Sequence, residues 1–173
     1  MGLTSARITL TVDATIENTG NSLAPIKIPF NYTYSLPLAA GTDVNQADRI
    51  FVARRTVPSA GTPDTVDFAD ATFLDPSGAP ATMAEIVALI AVNRSTTPGE
   101  ILSVGGHATA AIATPFGAAN DLNKAGPGGA VVLANPAAAA YAVGSTTSDM
   151  LQVAVAAGTN VPYDLIAIGR SAA

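Results

Sequence analysis

The chain has 173 residues, of which 49% are hydrophobic and only 12% are charged, and its net charge is −5. At 17.2 kDa, area scaling predicts a folded surface of roughly 7,800 Å² and burial of about 69% of the surface of the extended chain, which is enough for a core. Cysteine is absent, which excludes disulfides and Cys-ligated metal sites. The acidic balance argues against a nucleic-acid binder, because such proteins rely on Lys and Arg at phosphates.

The low share of charged residues predicts a surface that is either rich in Thr, Ser, Asn and Gly or partly covered by partners. Charged residues are about half as frequent as usual, and the mean hydropathy is +0.36. A free monomer normally exposes many charges, so this composition favours a subunit of an assembly. The N-terminal residues show no apolar signal segment, and the longest apolar run, residues 86–92, is far below the ~20 residues that span a bilayer. We therefore expect a soluble protein that does not bind membranes.

Two alternating segments open the chain. Apolar residues occupy the even positions of residues 8–16 and polar residues lie between them, which is typical of a strand with one dry and one wet face. Residues 18–22 predict a turn, and the alternation resumes over residues 26–36. In this second strand Tyr32 and Tyr34 are in phase with the apolar positions and are therefore predicted to lie in the core.

Two prolines modify the second strand. Pro25 and Pro29 lie in or beside it, and proline cannot donate a hydrogen bond to a strand ladder. We therefore expect this strand at a sheet edge or at a bulge.

The rest of the chain is predicted to form short strands between turns rich in Gly, Pro and Ser. The candidates are residues 47–57, 65–68, 87–93, 101–104, 108–113, 130–134, 141–143, 150–155 and 161–168. The last two are expected to form a terminal hairpin across residues 156–160. Nine to eleven short strands favour an all-β fold, a single-domain β-sandwich of jelly-roll type over residues 1–173. Within it, residues 1–40 are a candidate extended or inter-subunit arm.

Residues 82–92 carry the one indication of helix. Residues 82–85 fit a capping box, and the apolar residues from Met83 to Ile90 have helical spacing. Residues 87–92 are nevertheless apolar on both faces, as in a buried central strand. We predict a single helical turn at residues 82–85 that leads into a core strand ending at Asn93, with a helix to Val92 as the alternative.

The sequence offers no catalytic constellation. The sole histidine, His107, follows two glycines at a turn, and serine hydrolysis would need it as the base. No Gly-x-Ser-x-Gly elbow is present, and Glu is too scarce to suggest a glycosidase pair. We predict a protein that is not an enzyme, with no catalytic residues and no cofactor.

The best candidates for binding an ion are the acids Asp64, Asp67, Asp70 and Asp75. Hard cations such as Ca²⁺ take carboxylate oxygens, often several from one loop. Their spacing does not match an EF-hand, and Asp67 alternates with apolar neighbours like an ordinary outward strand residue. We predict no metal site, and a calcium ion near residues 64–75 remains the alternative.

Four residues are candidates for an interface: Asn45, Asp48, Arg54 and Arg55. Successive strand residues face opposite sides, so Arg54 and Arg55 must diverge. At a seam between subunits, an Arg forks onto a carboxylate of the next chain, and two solvated strand residues are the alternative. The segment 45–48 is expected to be a loop-to-strand junction held by bonds from side chains to the backbone.

An ordered series of segments resembles a family of small structural proteins encoded among the virion genes of tailed bacteriophages. These segments are residues 44–51, 55–56, 65–68, 73–75, 85–89, 102–106, 126–133, 149–153 and 163–169. The resemblance covers roughly residues 40–170 and consists of turn-and-strand patterning. It implies assembly into a virion and supplies no catalytic residues.

The function expected from this resemblance is that of a capsid decoration (cement) protein, which stabilises the shell through subunit contacts. Its expected partners are further copies of itself, as a homotrimer, and the major capsid protein or other virion proteins, without nucleic acid. Its expected location is the virion, assembled in the cytoplasm of the host bacterium. A tail, fibre or head-fibre component is the alternative, followed by a carbohydrate-binding adhesin module.

Overall fold

The computed structural model describes residues 3–18 and 26–171, and all the regular structure in these ranges is β-strand. The strands are β1 (Ser5–Asn18), β2 (Ile26–Ala40), β3 (Gln46–Ala47), β4 (Arg49–Ser59), β5 (Asp64–Asp67), β6 (Glu85–Asn93), β7 (Leu102–Gly105), β8 (Leu122–Ala125), β9 (Ala130–Ala134), β10 (Tyr141–Ala142), β11 (Met150–Val155) and β12 (Thr159–Arg170). This confirms the predicted all-β class.

Two antiparallel sheets form the body of the molecule. The larger sheet has the order β10-β6-β12-β4, with β9 also paired to β6, and the smaller has the order β5-β11-β7-β8. The antiparallel pairs β4–β12, β5–β11, β6–β9 and β7–β8 are nested in the chain. Nesting of this kind is the wrapping of a jelly-roll, so the predicted sandwich is confirmed, and the structure supplies the strand order that periodicity does not give.

The core lies between the two sheets. Phe51, Leu89 and Leu165 come from the larger sheet, and Val104 and Leu151 from the smaller; all five are buried in one apolar cluster. Burial of each such side chain stabilises the fold by about 1.5–3 kcal/mol.

Strand β12 organises the larger sheet, since it pairs with β4 on one side and β6 on the other. Its register against β6 shifts between Ile168 and Gly169. A Cβ at Gly169 would lie 2.3 Å from the carbonyl oxygen of Glu85, so only glycine fits at this irregularity. The bulge precedes Arg170, whose side chain is buried.

Strands β1 and β2 form a long hairpin. They pair without a register shift from Ser5 opposite Ala39 to Asn18 opposite Ile26, and β3 adds to β2 only at Ala39 and Ala40. Over the rest of its length β2 is an edge strand, which confirms the expectation for Pro29. Pro25 and residues 19–22 of the predicted turn lie outside the described residues.

Two local predictions are wrong. Residues 82–84 form no helical turn, because the Met83 amide donates to the Phe68 carbonyl and the Ala84 amide to the Arg170 carbonyl. Strand β6 then begins at Glu85 and ends at Asn93, so the core-strand interpretation is confirmed over the helix. Residues 108–113 form a turn and one isolated bridge instead of a strand.

The expected terminal hairpin is also wrong. Strand β11 pairs with β5 and β7 in the smaller sheet, whereas β12 pairs with β4 and β6 in the larger. Residues 156–158 therefore cross between sheets. Both strands bury one face in the same core, and periodicity does not distinguish two strands of a hairpin from two strands that face each other.

Strand β8 was not predicted, because Leu122–Ala125 shows little alternation.

Candidate interaction surface

The distal part of the β1–β2 hairpin, here called the arm, comprises residues 9–17 and 27–35. Every residue in these two ranges is exposed. At about 3.4 Å per residue, nine residues extend over roughly 30 Å. An isolated two-stranded ribbon is at best marginally stable in water, so the arm lacks the packing that stabilises the rest of the fold.

One face of the arm is apolar throughout. Cross-strand pairing brings together Leu10 with Tyr34, Val12 with Tyr32, Ala14 with Phe30 and Ile16 with Ile28. The seven large side chains in these rows are between 44% and 63% exposed. Tyr32 and Tyr34 are therefore not in the core, which corrects the prediction. They are in phase with an apolar face, as the alternation indicated, but nothing in the described part of the chain covers that face.

The opposite face of the arm is polar, and its charged groups have partners within the arm. Thr, Ser and Pro side chains fill most of its rows. The Asn31 amide donates to the Asp13 carboxylate, and Lys27 Nζ lies 3.4 Å from Glu17 Oε1. The arm is thus amphipathic, with its charged groups paired on the side away from the apolar rows.

The base of the hairpin packs on the outer face of the larger sheet. Leu36 and Leu38 are buried there in a second apolar cluster that includes Ala88 and Ile168, and Ile8 packs against it. The same hairpin face that is uncovered in the arm is therefore covered at its base.

An apolar stripe crosses the outer face of the larger sheet beside this cluster. Pairing places Val132, Ile90, Ile166 and Val52 directly opposite one another on β9, β6, β12 and β4. Val132 and Val52 are about half-exposed, whereas Ile90 and Ile166 are half-buried. The stripe is a smaller apolar surface than the arm.

The arginine pair diverges as predicted, and each member finds its carboxylate within this chain. Arg54 is 67% exposed and forks onto Asp164 at 2.7 and 3.2 Å. This hydrogen bond lowers the pKa of the Asp164 carboxyl and raises that of Arg54. Arg55 points inward and forks onto Asp64 with both bonds at 2.7 Å. The hydrogen bond to Asp64 raises the pKa of the Arg55 guanidinium.

Tyr163 completes the cluster around Asp64. Its hydroxyl donates to Asp64 Oδ2 at 2.7 Å, and burial, followed by this hydrogen bond, raises the pKa of the phenol well above its usual range. The Arg55 guanidinium also lies 5.5 Å from the centre of the Phe73 ring. Because both Asp64 oxygens, the Tyr163 hydroxyl and two guanidinium nitrogens of Arg55 are bound within the chain, we assign Arg55 a role in stability.

The other two interface candidates hold the junction between β2 and β4. Asn45 adopts a positive φ of 56°, and its backbone amide donates to the Pro136 carbonyl at 2.9 Å. The Asp48 carboxylate accepts from the Ser171 amide at 2.8 Å and from the Ser171 hydroxyl at 2.6 Å. The Asp48 bond to the Ser171 amide joins a side chain to the backbone, as predicted for this junction, whereas the Asn45 bond joins two backbone groups.

Arg170 is a buried charged residue that no sequence pattern indicated. Its side chain is 1% exposed and donates to Glu85 Oε2 at 2.8 Å. Further bonds reach the carbonyls of Gln46, Ala137, Ala138 and, at 3.3 Å, Pro136. These acceptors come from distant parts of the chain, so no local pattern indicates the site. Arg170 connects β3, and through it the base of the hairpin, to the sandwich.

The acidic series does not converge on a point. Asp64 is bound by Arg55 and Tyr163, while Asp67, Asp70 and Asp75 accept bonds from the amides of Ala69, Thr72 and Ser77 in their own turns. Within residues 3–18 and 26–171, no group of three His, Asp or Glu side chains is arranged to hold a metal. His107 Nδ1 accepts from the Ala110 amide at 3.1 Å, as part of a turn.

Comparisons with known proteins returned no similarity. The chain matches no protein-family model, and searches of curated proteins and of solved structures found no match. In the described ranges no helix is long and apolar enough to cross a membrane. The arm and the fold that carries it are therefore the features from which we infer the function.

Proposed function

We propose that this chain is a structural subunit of a phage virion, and specifically a capsid decoration protein that stabilises the shell through subunit contacts. The observation that supports this most strongly is the arm, which presents an uncovered apolar face of seven large side chains. Apolar patches larger than a few hundred Å² on a soluble protein mark interaction sites. A homotrimer that also contacts the major capsid protein would cover such surfaces.

The fold supports the same proposal by analogy. Jelly-rolls occur in viral capsid proteins and also in lectins, and a fold alone does not define a function. The resemblance of residues 40–170 to virion structural proteins favours the first of these uses. A tail, fibre or head-fibre component is the alternative within the same class.

The row formed by Phe30, Tyr32 and Tyr34 raises the question of carbohydrate binding. An aromatic platform for sugars needs polar groups beside the rings to fix the ligand's orientation. The rings lie opposite Ala14, Val12 and Leu10, and this face of the arm carries aliphatic neighbours instead of hydrogen-bonding ones. The row therefore fits a protein contact better than a sugar site.

Binding to preformed shells tests the proposal. Purified protein is mixed with decoration-free capsids of the phage that encodes it, and co-sedimentation gives the number of bound copies. We expect saturable binding at a number that matches the capsid symmetry, and shells that resist higher temperature. Absence of binding, or a handful of copies per particle, would contradict the decoration role and direct attention to the tail.

A further inference from the structure

We infer that the apolar face of the arm packs against the arm of a second copy of this chain, so that the arms form the shared core of the homo-oligomer. This inference rests on the proposed function as an assembling subunit. It adds the surface that makes the contact and the partner that covers it.

The area of the surface is close to what a stable interface buries on one partner. The folded chain exposes 9111 Å², which is roughly 1,300 Å² more than the roughly 7,800 Å² expected of a compact monomer of this mass. About half of each of seven large apolar side chains on the arm is uncovered, on the order of 700 Å² in total. A standard stable interface buries about 800 Å² on each partner, so the patch alone supplies most of one partner's share.

The chemistry of the arm favours a second copy over a partner of different character. Interfaces between identical subunits are more apolar than other interfaces, and the eight residues from Leu10–Tyr34 to Ile16–Ile28 include no charged side chain. The charged groups of the arm are on its other face, where Lys27 lies by Glu17 and Asn31 by Asp13. The apolar face therefore carries no charge that a charged protein or a nucleic acid would complement.

The intramolecular packing of the hairpin provides a precedent. At its base, the same face buries Leu36 and Leu38 against another apolar sheet surface. Packing two such faces at the usual separation of about 10 Å would continue this buried layer along the arm. Because the arm extends from the sandwich, two arms can meet while their bodies stay apart.

Two matched substitutions on β2 test the contact. Tyr34→Asp places a carboxylate on the apolar face, whereas Ser35→Asp places the same group on the polar face one residue away. Both positions are exposed, so both variants are expected to keep the sandwich fold, which circular dichroism verifies. By size-exclusion chromatography with light scattering, we expect the wild type and Ser35→Asp to be oligomers of equal mass and Tyr34→Asp to be a monomer.

Single cysteines identify the surface that is covered. Because the natural chain has no Cys, Val12→Cys on the apolar face and Thr11→Cys on the polar face each provide one thiol. A short bis-maleimide is expected to link Val12→Cys chains into covalent dimers and to leave Thr11→Cys chains unlinked. If Val12→Cys instead links to Val132→Cys in a mixed sample and not to itself, the arm lies on the partner's sheet stripe and the inference is overturned.

The outcomes separate this inference from the proposed function. A wild-type chain that is monomeric at high concentration, or a Tyr34→Asp variant that remains oligomeric, overturns the arm-to-arm contact. Symmetry-matched binding to shells would then still support the decoration role, with the arm covered by capsid protein. Oligomers with the expected cross-links but without shell binding would support the arm contact and contradict the decoration role.

Discussion

At the scale of single residues, two buried polar clusters join segments that lie far apart in the chain. Arg170 binds Glu85 and backbone carbonyls from two separate segments, and Asp64 is held by Arg55 and Tyr163. Burying a charge is costly unless it is paired and hydrogen-bonded. Both clusters meet this condition, so removing one partner should cost more than an exposed ion pair contributes.

Replacement of Arg170 tests this difference. Arg170→Ala leaves Glu85 and several carbonyls without a donor, so we expect a loss of about 3–5 kcal/mol in the free energy of unfolding. Arg170→Lys should recover little, because an ammonium does not reproduce the fork of the guanidinium. Urea unfolding gives the values. The control is Arg54→Ala, which removes an exposed pair with Asp164 and should cost about 0–1 kcal/mol; equal losses in both variants would contradict the assignment.

Tyr163 should make the stability of the sandwich depend on alkaline pH. Burial raises the pKa of its phenol in the folded state, while in the unfolded chain the phenol titrates near 10. The unfolded state therefore loses this proton first, so the stabilisation is complete below about pH 10 and decreases as the pH rises above it. Urea unfolding between pH 8 and 11 measures the slope. Tyr163→Phe removes the group, and an unchanged slope in this variant would refute its role.

At the scale of secondary structure, the contrast between the arm and the body is the main feature. Both are built from alternating strands, yet Leu10 on β1 is 54% exposed and Leu165 on β12 is fully buried. A two-stranded ribbon has no third strand or second sheet to cover it. The arm is therefore expected to open locally at much lower free energy than the sandwich.

Hydrogen exchange checks this expectation. In dilute, monomeric protein, we expect the amides of residues 11–15 to exchange much faster than those of residues 163–167, because only the latter lie in a central strand between two others. If the arm contact forms, raising the protein concentration should slow exchange in the arm and leave the central strand unchanged. Equal protection of the two segments in the monomer would show that the arm is stable without a partner.

At the scale of the whole molecule, the nested pairing of strands joins the two sheets into one unit. Pairs such as β4–β12 connect the start of the body to its end, so neither sheet can form from a continuous part of the chain. Non-local pairing of this kind is slow to form because loop closure precedes most contacts. We expect the sandwich to unfold in a single transition.

A cavity in the core tests whether the two sheets unfold cooperatively. Leu165 is fully buried between the sheets, and Leu165→Ala should lower the free energy of unfolding by about 2–5 kcal/mol. With Tyr32 and Tyr34 of the arm replaced by Phe, so that the fluorescence comes from Tyr141 and Tyr163, circular dichroism and tyrosine fluorescence should report the same transition, because both sheets line the cavity. Val132→Ala, at an exposed position of the same sheet, should change stability by about 0.5 kcal/mol or less. Two separate transitions in Leu165→Ala would contradict a single cooperative unit.

The sequence alone determined the fold class and most of the strands. The turn residues on either side of short apolar segments gave β9 and β11 at their observed bounds. Within the predicted junction at residues 45–48, the Gln46 side chain accepts a hydrogen bond from the nearby Asp43 amide, and this local part also followed from the sequence. These features depend on neighbours in the chain, and such neighbours are visible in the sequence.

Only the tertiary structure decided which apolar faces are covered. Alternation assigned Tyr32 and Leu165 to apolar faces in the same way, yet the structure buries Leu165 between two sheets and leaves Tyr32 half-exposed on the arm. The assignment of β11 and β12 to different sheets, and the acceptors that surround Arg170, likewise come from pairings of distant segments. Periodicity shows that a face is apolar, but the group that covers it is set by how the whole chain wraps.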